Sequence, residues 1–348
     1  MRKITVTKNE AGQKLLKLLA KYLDTAPQGF LHKMLRKKNI TLNGKKADGS
    51  EQLGEADEVC LFLSEETILS FQSRMGQKEK ENENERVKAL PALRVLYEDE
   101  DILLLNKPVG VLSQKAEASD VSANEWLISY LLEKGALTAE ELQTFRPAVC
   151  NRLDRNTSGI LTAGKSLAGL QTLSRLLKER SLWKEYYCIV CGRVERSSRI
   201  TGFLAKNEQA NRVMVTRNKE SEDAAPVVTE YVPVCSTGQY TLLRVHLITG
   251  KTHQIRAQLA SVGHPLLGDG KYGDAKTNRA MRERFGLTSQ LLHAAYLAFP
   301  DKMEACPQLA GKEFFAPAPA LFARVARDLG LYTEELCGRS GKYLQGKE

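Results

Sequence analysis

The apolar residues near the start of the chain recur at the spacing of two short helices. Within residues 10–24 they lie three or four positions apart, at Leu15, Leu16, Leu19, Tyr22 and Leu23, which predicts an amphipathic helix. Residues 28–38 predict a second helix with one apolar face and one basic face. Residues 40–46 follow as a strand and an Asn-Gly pair typical of a hairpin turn. A further strand is predicted at 58–63.

Beyond residue 90, strand and helix patterns alternate irregularly. Strands are predicted at 93–95, 102–105, 184–190 and 243–247, and residues 192–240 are rich in strand patterns. Residues 120–145 have a helical, acidic pattern. Ser166 is the predicted N-cap of a helix with one leucine-rich face. Another helix is predicted to begin near Thr252, with Ile255, Leu259 and Val262 facing inward.

A polar stretch between these two parts predicts a domain boundary. Residues 72–88 include GQKEKENENER, which has no hydrophobic periodicity and is typical of a flexible, solvated linker. The predicted organisation is a small domain at 1–65, a linker at 66–90, a larger domain at 91–325 and a C-terminal tail at 326–348.

Composition indicates a globular protein with a basic surface. The chain has 348 residues and a formal net charge of +9, and a basic surface attracts polyanions such as nucleic acid. We find no signal-peptide pattern and no apolar run long enough to span a membrane, so we expect a cytoplasmic protein. Seven scattered cysteines are typical of reduced thiols. Cys188-x-x-Cys191 has no second ligand pair, and His253 and His264 have no third partner, so we predict no metal site.

The densest chemical pattern is the stretch from Cys150 to Ser166, CNRLDRNTSGILTAGKS. Asp154 stands between Arg152 and Arg155, and nearby positive charge favours an ionised carboxylate. That state suits a nucleophile or a base. The alternative is a polar loop with solvated charges.

Residues 159–166 also fit the phosphate-binding pattern G-x-x-x-x-G-K-[ST]. A phosphate loop needs a buried strand before its first glycine and free backbone amides after it. Here the preceding residues are polar, and Ile160-Leu161-Thr162-Ala163 itself predicts a strand. A nucleotide hydrolase that uses this loop therefore remains the weaker alternative.

The sequence NRLDRNTSG resembles the H-R-L-D-x-x-T-S-G signature of the RluA-type RNA pseudouridine synthases. Asn151 replaces the usual histidine, and Gly164 replaces the usual alanine before the lysine. Residues 184–190 resemble the family's K-x-Y-x-x-x-V block. Residues 249–256 resemble its T-G-R-x-H-Q-I-R block, with Lys251 in place of arginine. The N-K-P-x-G segment at 106–110 is also similar to the family's opening block.

The resemblance implies a role for each matched residue. Asp154 would be the catalytic carboxylate, Arg256 would pair with it, and Tyr186 would stack on the target base, while Tyr187 would point to the opposite face of its strand. Arg152, Arg155 and Lys107 would hold the distorted RNA around the site. No cofactor and no metal are implied, because the isomerisation involves neither redox chemistry nor phosphoryl transfer.

The first 65 residues resemble the alpha-L RNA-binding motif, which several synthases of this family carry at the N-terminus. Twelve Lys and Arg against seven Asp and Glu up to Ser64 leave a net charge of about +5 on this segment. The predicted RNA contacts are Lys33, Arg36, Lys37, Lys38 and Lys45. These residues would bind phosphates in a salt-dependent manner without reading sequence.

Taken together, the resemblance implies an α+β fold. The catalytic domain would have a mixed, mainly antiparallel sheet around a central cleft, and a small α/β RNA-binding domain would precede it. The implied activity is isomerisation of specific uridines in RNA, with ribosomal RNA favoured and tRNA as a further possible substrate, by a monomer. The alternative is an RNA-binding ribosome-assembly factor without catalysis. In that case Asp154→Asn would change no cellular function.

Overall fold

The computed structural model describes residues 1–72, 85–91, 93–117, 119–207, 212–216, 218–219 and 224–338. The helices are α1 Leu15–Tyr22, α2 Gln28–Arg36, α3 Glu65–Ser70, α4 Ala123–Glu133, α5 Leu167–Glu179, α6 Gln254–Ser261, α7 Ala275–Phe285 and α8 Ala320–Asp328. The strands are β1 Arg2–Thr5, β2 Ile40–Leu42, β3 Lys45–Lys46, β4 Glu58–Leu61, β5 Arg94–Glu98, β6 Ile102–Lys107, β7 Ala148–Val149, β8 Ser158–Gly164, β9 Trp183–Cys191, β10 Ser198–Asn207, β11 Arg212–Thr216, β12 Ala225–Ser236, β13 Tyr240–Leu247, β14 Leu292–Ala298 and β15 Glu313–Phe315.

The first 72 residues fold around a core of their own. Their four strands pair antiparallel in the order β1-β4-β2-β3. Helices α1 and α2 bury their leucines against this sheet, as the apolar spacing predicted. The predicted hairpin turn is present between β2 and β3, where Asn43 and Gly44 both have positive φ, at 50° and 71°. Both φ values are those that a two-residue hairpin turn requires.

Two predicted boundaries in this part differ from the structure. The first helix was predicted over 10–24 but begins at Leu15. Glu10 accepts hydrogen bonds from the backbone N–H and the hydroxyl of Thr7, which closes a turn in place of a helical start. Helix α3 lies inside the stretch predicted as linker, because Ser64 caps it and Ile68 is buried in the small core. Residues 73–84 of that linker lie outside the described residues.

The remaining described residues form one large sheet with helices on both faces. Its main path runs β11-β10-β12-β13-β9-β14-β8-β6-β5, with β15 paired to β14 and β7 paired to β8. Of the named strand pairs, β8–β14 is parallel and the others are antiparallel. The fold class is therefore confirmed as α+β with a mixed, mainly antiparallel sheet. Among the described residues, no helix is both long and apolar enough to cross a bilayer.

Each face of the sheet buries a different set of side chains. Leu103 and Leu105 of β6 join the core that α4 and α6 cover, whereas Ile102 and Leu104 join the core under α5. This follows from the two-residue period of a strand. Helix α5 begins as predicted, since Ser166 accepts the N–H of Gly169. Val262 was predicted to face inward but is exposed, because α6 ends at Ser261.

Strand β8 contradicts the nucleotide-binding alternative. The residues of the glycine-rich pattern form the interior of the sheet, where β8 pairs with β6, β7 and β14. Backbone groups engaged in these ladders do not form the open cradle of amides that a phosphate loop needs. Lys165 bonds to the Glu98 carboxylate at 2.7 Å and to the Asp99 carbonyl at 2.7 Å. The phosphate-loop reading is therefore wrong for this chain.

Gly159 allows β8 and β14 to approach each other closely. Its φ is +115°, and a Cβ added there would lie 2.1 Å from the carbonyl oxygen of Ala294. We expect Gly159→Ala to lower the free energy of unfolding by at least about 3 kcal/mol, because neither the backbone angle nor the space admits a methyl group. Urea unfolding measures this. Gly238→Ala is the control, since nothing lies within 4 Å of its added Cβ. Equal stability of the two variants would contradict the prediction.

Candidate active site

Asp154 lies in the loop between β7 and β8, and two side chains hold that loop. Asn151 Oδ1 accepts the N–H of Thr162 at 2.7 Å, and Asn151 Nδ2 donates to the carbonyl of Ile160 at 3.2 Å. The side-chain amide thus extends the pairing that β7 makes with β8. On the other side, Ser113 Oγ accepts the N–H of Leu153 and donates to the carbonyl of the same residue. The backbone that carries Asp154 is therefore fixed on both sides.

Among the described residues, only Arg256 has its guanidinium within hydrogen-bond distance of Asp154. It belongs to the first turn of α6, and its Nη1 donates to Asp154 Oδ2 at 2.7 Å. The pairing that the resemblance implied is present in the structure. Arg256 is buried, whereas the Asp154 side chain is 23% exposed. The carboxylate therefore has both a fixed counter-charge and access to a ligand.

A second carboxylate, Asp269, fixes Arg256. Nε of Arg256 donates to Asp269 Oδ2 at 2.7 Å, and Nη2 donates to Asp269 Oδ1 at 2.9 Å. Asp269 also accepts the backbone N–H groups of Lys271 and Tyr272. Burial alone would lower the pKa of Arg256, but the bonds and charges of Asp269 and Asp154 outweigh it and raise that pKa. Likewise, Arg256 and the backbone donors outweigh burial and lower the pKa of Asp269.

Tyr186 of β9 lines the same hollow as Asp154. Burial, and then the negative charge of Asp154, raise the pKa of its phenol. The hydroxyl therefore keeps its proton at neutral pH and is not a base there. Tyr187 points to the other face of the sheet, where its hydroxyl bonds to Glu335 at 2.9 Å, as the strand pattern predicted.

The hollow is open to solvent, and its walls have both apolar and polar side chains. It lies between the Asp154 loop, the start of α6, and the strands β9, β13 and β14. Leu247, Ile255 and Leu292 give it apolar sides, while Asp154, His253 and Arg256 give it polar ones. A flat base with polar edges suits such a mixture, because its faces are apolar and its rim bears hydrogen-bonding groups.

The three basic residues predicted to hold RNA near the site differ in their exposure to solvent. Arg152 and Arg155 are exposed. Lys107 is fully buried, and its Nζ donates to the carbonyl oxygens of Pro108, Val111 and Arg155 at 2.8–3.1 Å. Burial lowers the pKa of Lys107 to about 7, against the opposing influence of the Asp154 charge. The expectation that Lys107 contacts RNA is therefore corrected, because this side chain holds two loops together inside the protein.

The basic residues predicted to bind RNA in the first domain are all exposed. They are Lys33, Arg36, Lys37, Lys38 and Lys45. Helix α2 buries Leu31, Met34 and Leu35 on its other side, so its charged side faces solvent. We refer to the exposed side chains of Lys33, Arg36, Lys37, Lys38 and Lys45 as the α2 basic face.

The site residues predicted from the sequence did not include Asp269, His253 or Asn151. Asp269 follows the apolar Pro265-Leu266-Leu267 segment and stands between Gly268 and Gly270. An acidic residue in such a segment is a signal for a buried, paired charge. His253 was considered as a metal ligand and rejected, and its Nε2 lies 3.8 Å from Asp154 Oδ2.

The sequence pattern of the RNA pseudouridylate synthase family matches residues 101–261, a segment that contains Asp154, Tyr186 and Arg256. The chain is similar to this family over that segment, which makes up a little under half of its length. It is 29% identical over 300 residues to the ribosomal large subunit pseudouridine synthase C of Escherichia coli (strain K12), covering 85% of this chain and 88% of that protein. It is 28% identical over 332 residues to the protein of the same name from Vibrio vulnificus, covering 94% and 96%.

A solved structure supports the fold. Human RNA pseudouridylate synthase domain containing 4 superposes with a TM-score of 0.58 at 21% identity, covering 73% of this chain and 99% of that one. Members of the family that matches residues 101–261 are enzymes.

The bidentate contact with Asp269 predicts a large effect of one isosteric change. Asp269→Asn removes the charge that balances Arg256, and breaking a buried ion pair from one side costs about 3–5 kcal/mol. We expect the free energy of unfolding in urea to fall by that amount. Asp274→Asn is the matched control. Asp274 is an exposed N-cap of α7, where asparagine caps equally well, so its cost is below about 0.5 kcal/mol. Similar small effects of both changes would contradict the structural role of Asp269.

Proposed function

We propose that this protein isomerises uridines of large-subunit ribosomal RNA to pseudouridine, with Asp154 as the catalytic carboxylate. The observation that carries the proposal is the Arg256–Asp154 contact of 2.7 Å at the wall of an open hollow that Tyr186 also lines. The choice of ribosomal RNA rests on the names of the bacterial relatives. We expect a cytoplasmic monomer, and tRNA is an additional substrate to test.

The reaction needs a carboxylate that is held in place and reachable. The bond from ribose C1′ to N1 of uracil breaks, the base turns, C1′ bonds to C5, and the proton of C5 leaves while N1 gains one. Asp154 is suited to attack the sugar, to attack the base, or to remove a proton from the ribose. In each case Arg256 holds the carboxylate in a fixed orientation and places a positive charge beside it before the substrate arrives, which is electrostatic preorganisation.

Tyr186 is suited to contact the uracil ring. Its ring lies in the wall of the hollow, and its phenol keeps its proton. The target nucleotide has to leave its stack to reach this position, and the unstacking costs a few kcal/mol. Contacts from Arg152 and Arg155, both exposed beside Asp154, would offset part of that cost.

The first domain, residues 1–65, is proposed to supply further RNA affinity. The α2 basic face presents its charges on a single helix and the hairpin that follows it. Such a surface binds phosphates without selecting sequence, so specificity would come from the site around Asp154.

We expect Asp154→Asn to abolish tritium release from RNA labelled at C5 of uridine. Release requires the base to be rejoined through C5, and the amide neither attacks carbon nor accepts a proton as a carboxylate does. The RNA should come from cells that lack the protein, so that its target uridines are unmodified. Asp328→Asn, an exposed position at the end of α8, is the control and should match the wild type. No release by the wild-type protein would refute the synthase proposal for this RNA, and release by Asp154→Asn would remove Asp154 from the mechanism.

Replacing Lys33, Arg36, Lys37 and Lys38 by Gln should weaken RNA binding and its salt dependence. Loss of four phosphate contacts lowers the slope of log affinity against log salt concentration by about 3. Titration of a ribosomal RNA fragment at several KCl concentrations measures this slope. The control removes four exposed charges from α7 instead, at Lys276, Arg279, Arg282 and Arg284. An equal loss from both sets would indicate generic attraction to positive charge and would count against a specific role of the α2 basic face.

A further inference from the structure

His253 faces the reacting carboxylate without bonding to it. It is the residue before α6, its φ is 57°, and its side chain is 12% exposed in the wall of the hollow. Its Nε2 lies 3.8 Å from Asp154 Oδ2, which is longer than a hydrogen bond. The mechanism described above assigns it no role.

The hydrogen bond made by the other ring nitrogen of His253, Nδ1, determines which of the two nitrogens carries the proton. Nδ1 lies 3.0 Å from the hydroxyl of Tyr272. That hydroxyl already accepts the backbone N–H of Val213 at 2.9 Å, so its own proton is available for donation. Burial lowers the pKa of His253, although the charge of Asp154 acts against this, so the ring is neutral at neutral pH. With Nδ1 as the acceptor for Tyr272, the ring proton resides on Nε2, directed to the cleft.

A donor and an acceptor 3.8 Å apart are complementary to one chemical group. A hydroxyl oxygen placed between them accepts from Nε2–H and donates to Asp154 Oδ2, and both bonds have ordinary length. A carbonyl oxygen makes only the first of these bonds and would meet the carboxylate with like polarity. In a uridine bound with C1′ beside Asp154, the nearest hydroxyl is the ribose 2′-OH.

We propose that His253 Nε2–H and Asp154 Oδ2 together bind the 2′-hydroxyl of the target nucleotide, with Tyr272 as the positioning residue that holds the required tautomer. This inference rests on the proposed function, since it concerns the substrate of the same site. It assigns to this pair the discrimination of RNA from DNA, because the 2′-hydroxyl is the group that distinguishes them.

Nitrogen-15 NMR of the whole protein labelled at histidine tests the tautomer without any activity measurement. At pH 7.5 we expect His253 to be in the Nε2–H form, identified as the signal missing from His253→Asn. Tyr272→Phe should shift His253 toward the other tautomer. The aromatic ring at position 272 would keep its contact with Arg256. An Nδ1–H form in the wild type, or no change in Tyr272→Phe, would overturn the proposal.

Two substitutions at His253 separate substrate binding from structural support. Asparagine tolerates the left-handed backbone and keeps an amide near Nδ1, whereas glutamine places an amide near Nε2. We expect His253→Asn to lower the single-turnover rate by about 10- to 100-fold and His253→Gln to lower it less. If His253 only supports Tyr272 and the loop, His253→Asn should be the more active of the two, and the proposal would be wrong.

Target RNA with 2′-deoxyuridine at the modified position identifies the acceptor. The deoxy substitution should slow the wild-type enzyme about tenfold or more and slow His253→Asn clearly less, because the variant has already lost the bond from His253 and only the bond to Asp154 remains to be removed. Equal additional losses in both proteins would exclude the 2′-hydroxyl as the bound group. Activity of the wild type on the unsubstituted RNA tests the proposed function separately, so the two failures are distinguishable.

Discussion

The site depends on one guanidinium held between two carboxylates. Arg256 gives two N–H groups to Asp269 and one to Asp154, and the buried positive charge is compensated by both. Removing one partner of a buried ion leaves an uncompensated charge, so each member fixes the others. The three residues come from the loop before β8, the first turn of α6 and the segment after α6. Asp154 and Arg256 line the hollow in which substrate chemistry would occur, and Asp269 holds Arg256 in place.

The sheet brings these segments to the same place. Strands β13, β9, β14 and β8 are neighbours in that order, so the loop that enters β8 and the helix that follows β13 lie close together. The parallel pair β8–β14 requires the close backbone contact at Gly159, and Asn151 ties the Asp154 loop to β8. Asn151 replaces the histidine usual in the family, and its amide satisfies two backbone groups of β8. The position of Asp154 is thus supported by the contacts that Asn151 and Gly159 make with the backbone.

Basic residues with similar sequence surroundings differ in whether the fold exposes or buries them. Lys33, Arg36, Lys37 and Lys38 remain on the surface because the other side of α2 packs into the small core. Lys107, at the end of β6, is enclosed by the loops at Pro108 and Arg155 and binds their carbonyl groups. Charge alone therefore does not identify an RNA contact. Exposure depends on which segments fold over a residue, and those segments are distant in sequence.

The sequence by itself determined the local elements, the likeness to the synthase family and the identity of Asp154, Tyr186 and Arg256 as site candidates. The local elements follow from apolar periodicity and turn residues, which are properties of neighbouring positions. The three site candidates follow from the resemblance of their motifs to those of the family. Only the tertiary structure decided that Asp269 holds Arg256, that the Tyr272 hydroxyl lies within hydrogen-bond distance of His253 Nδ1, and that Lys107 is buried. It also showed that the glycine-rich pattern after Asp154 is a sheet strand. These features depend on contacts between residues far apart in the chain, and local patterns do not specify which residues form those contacts.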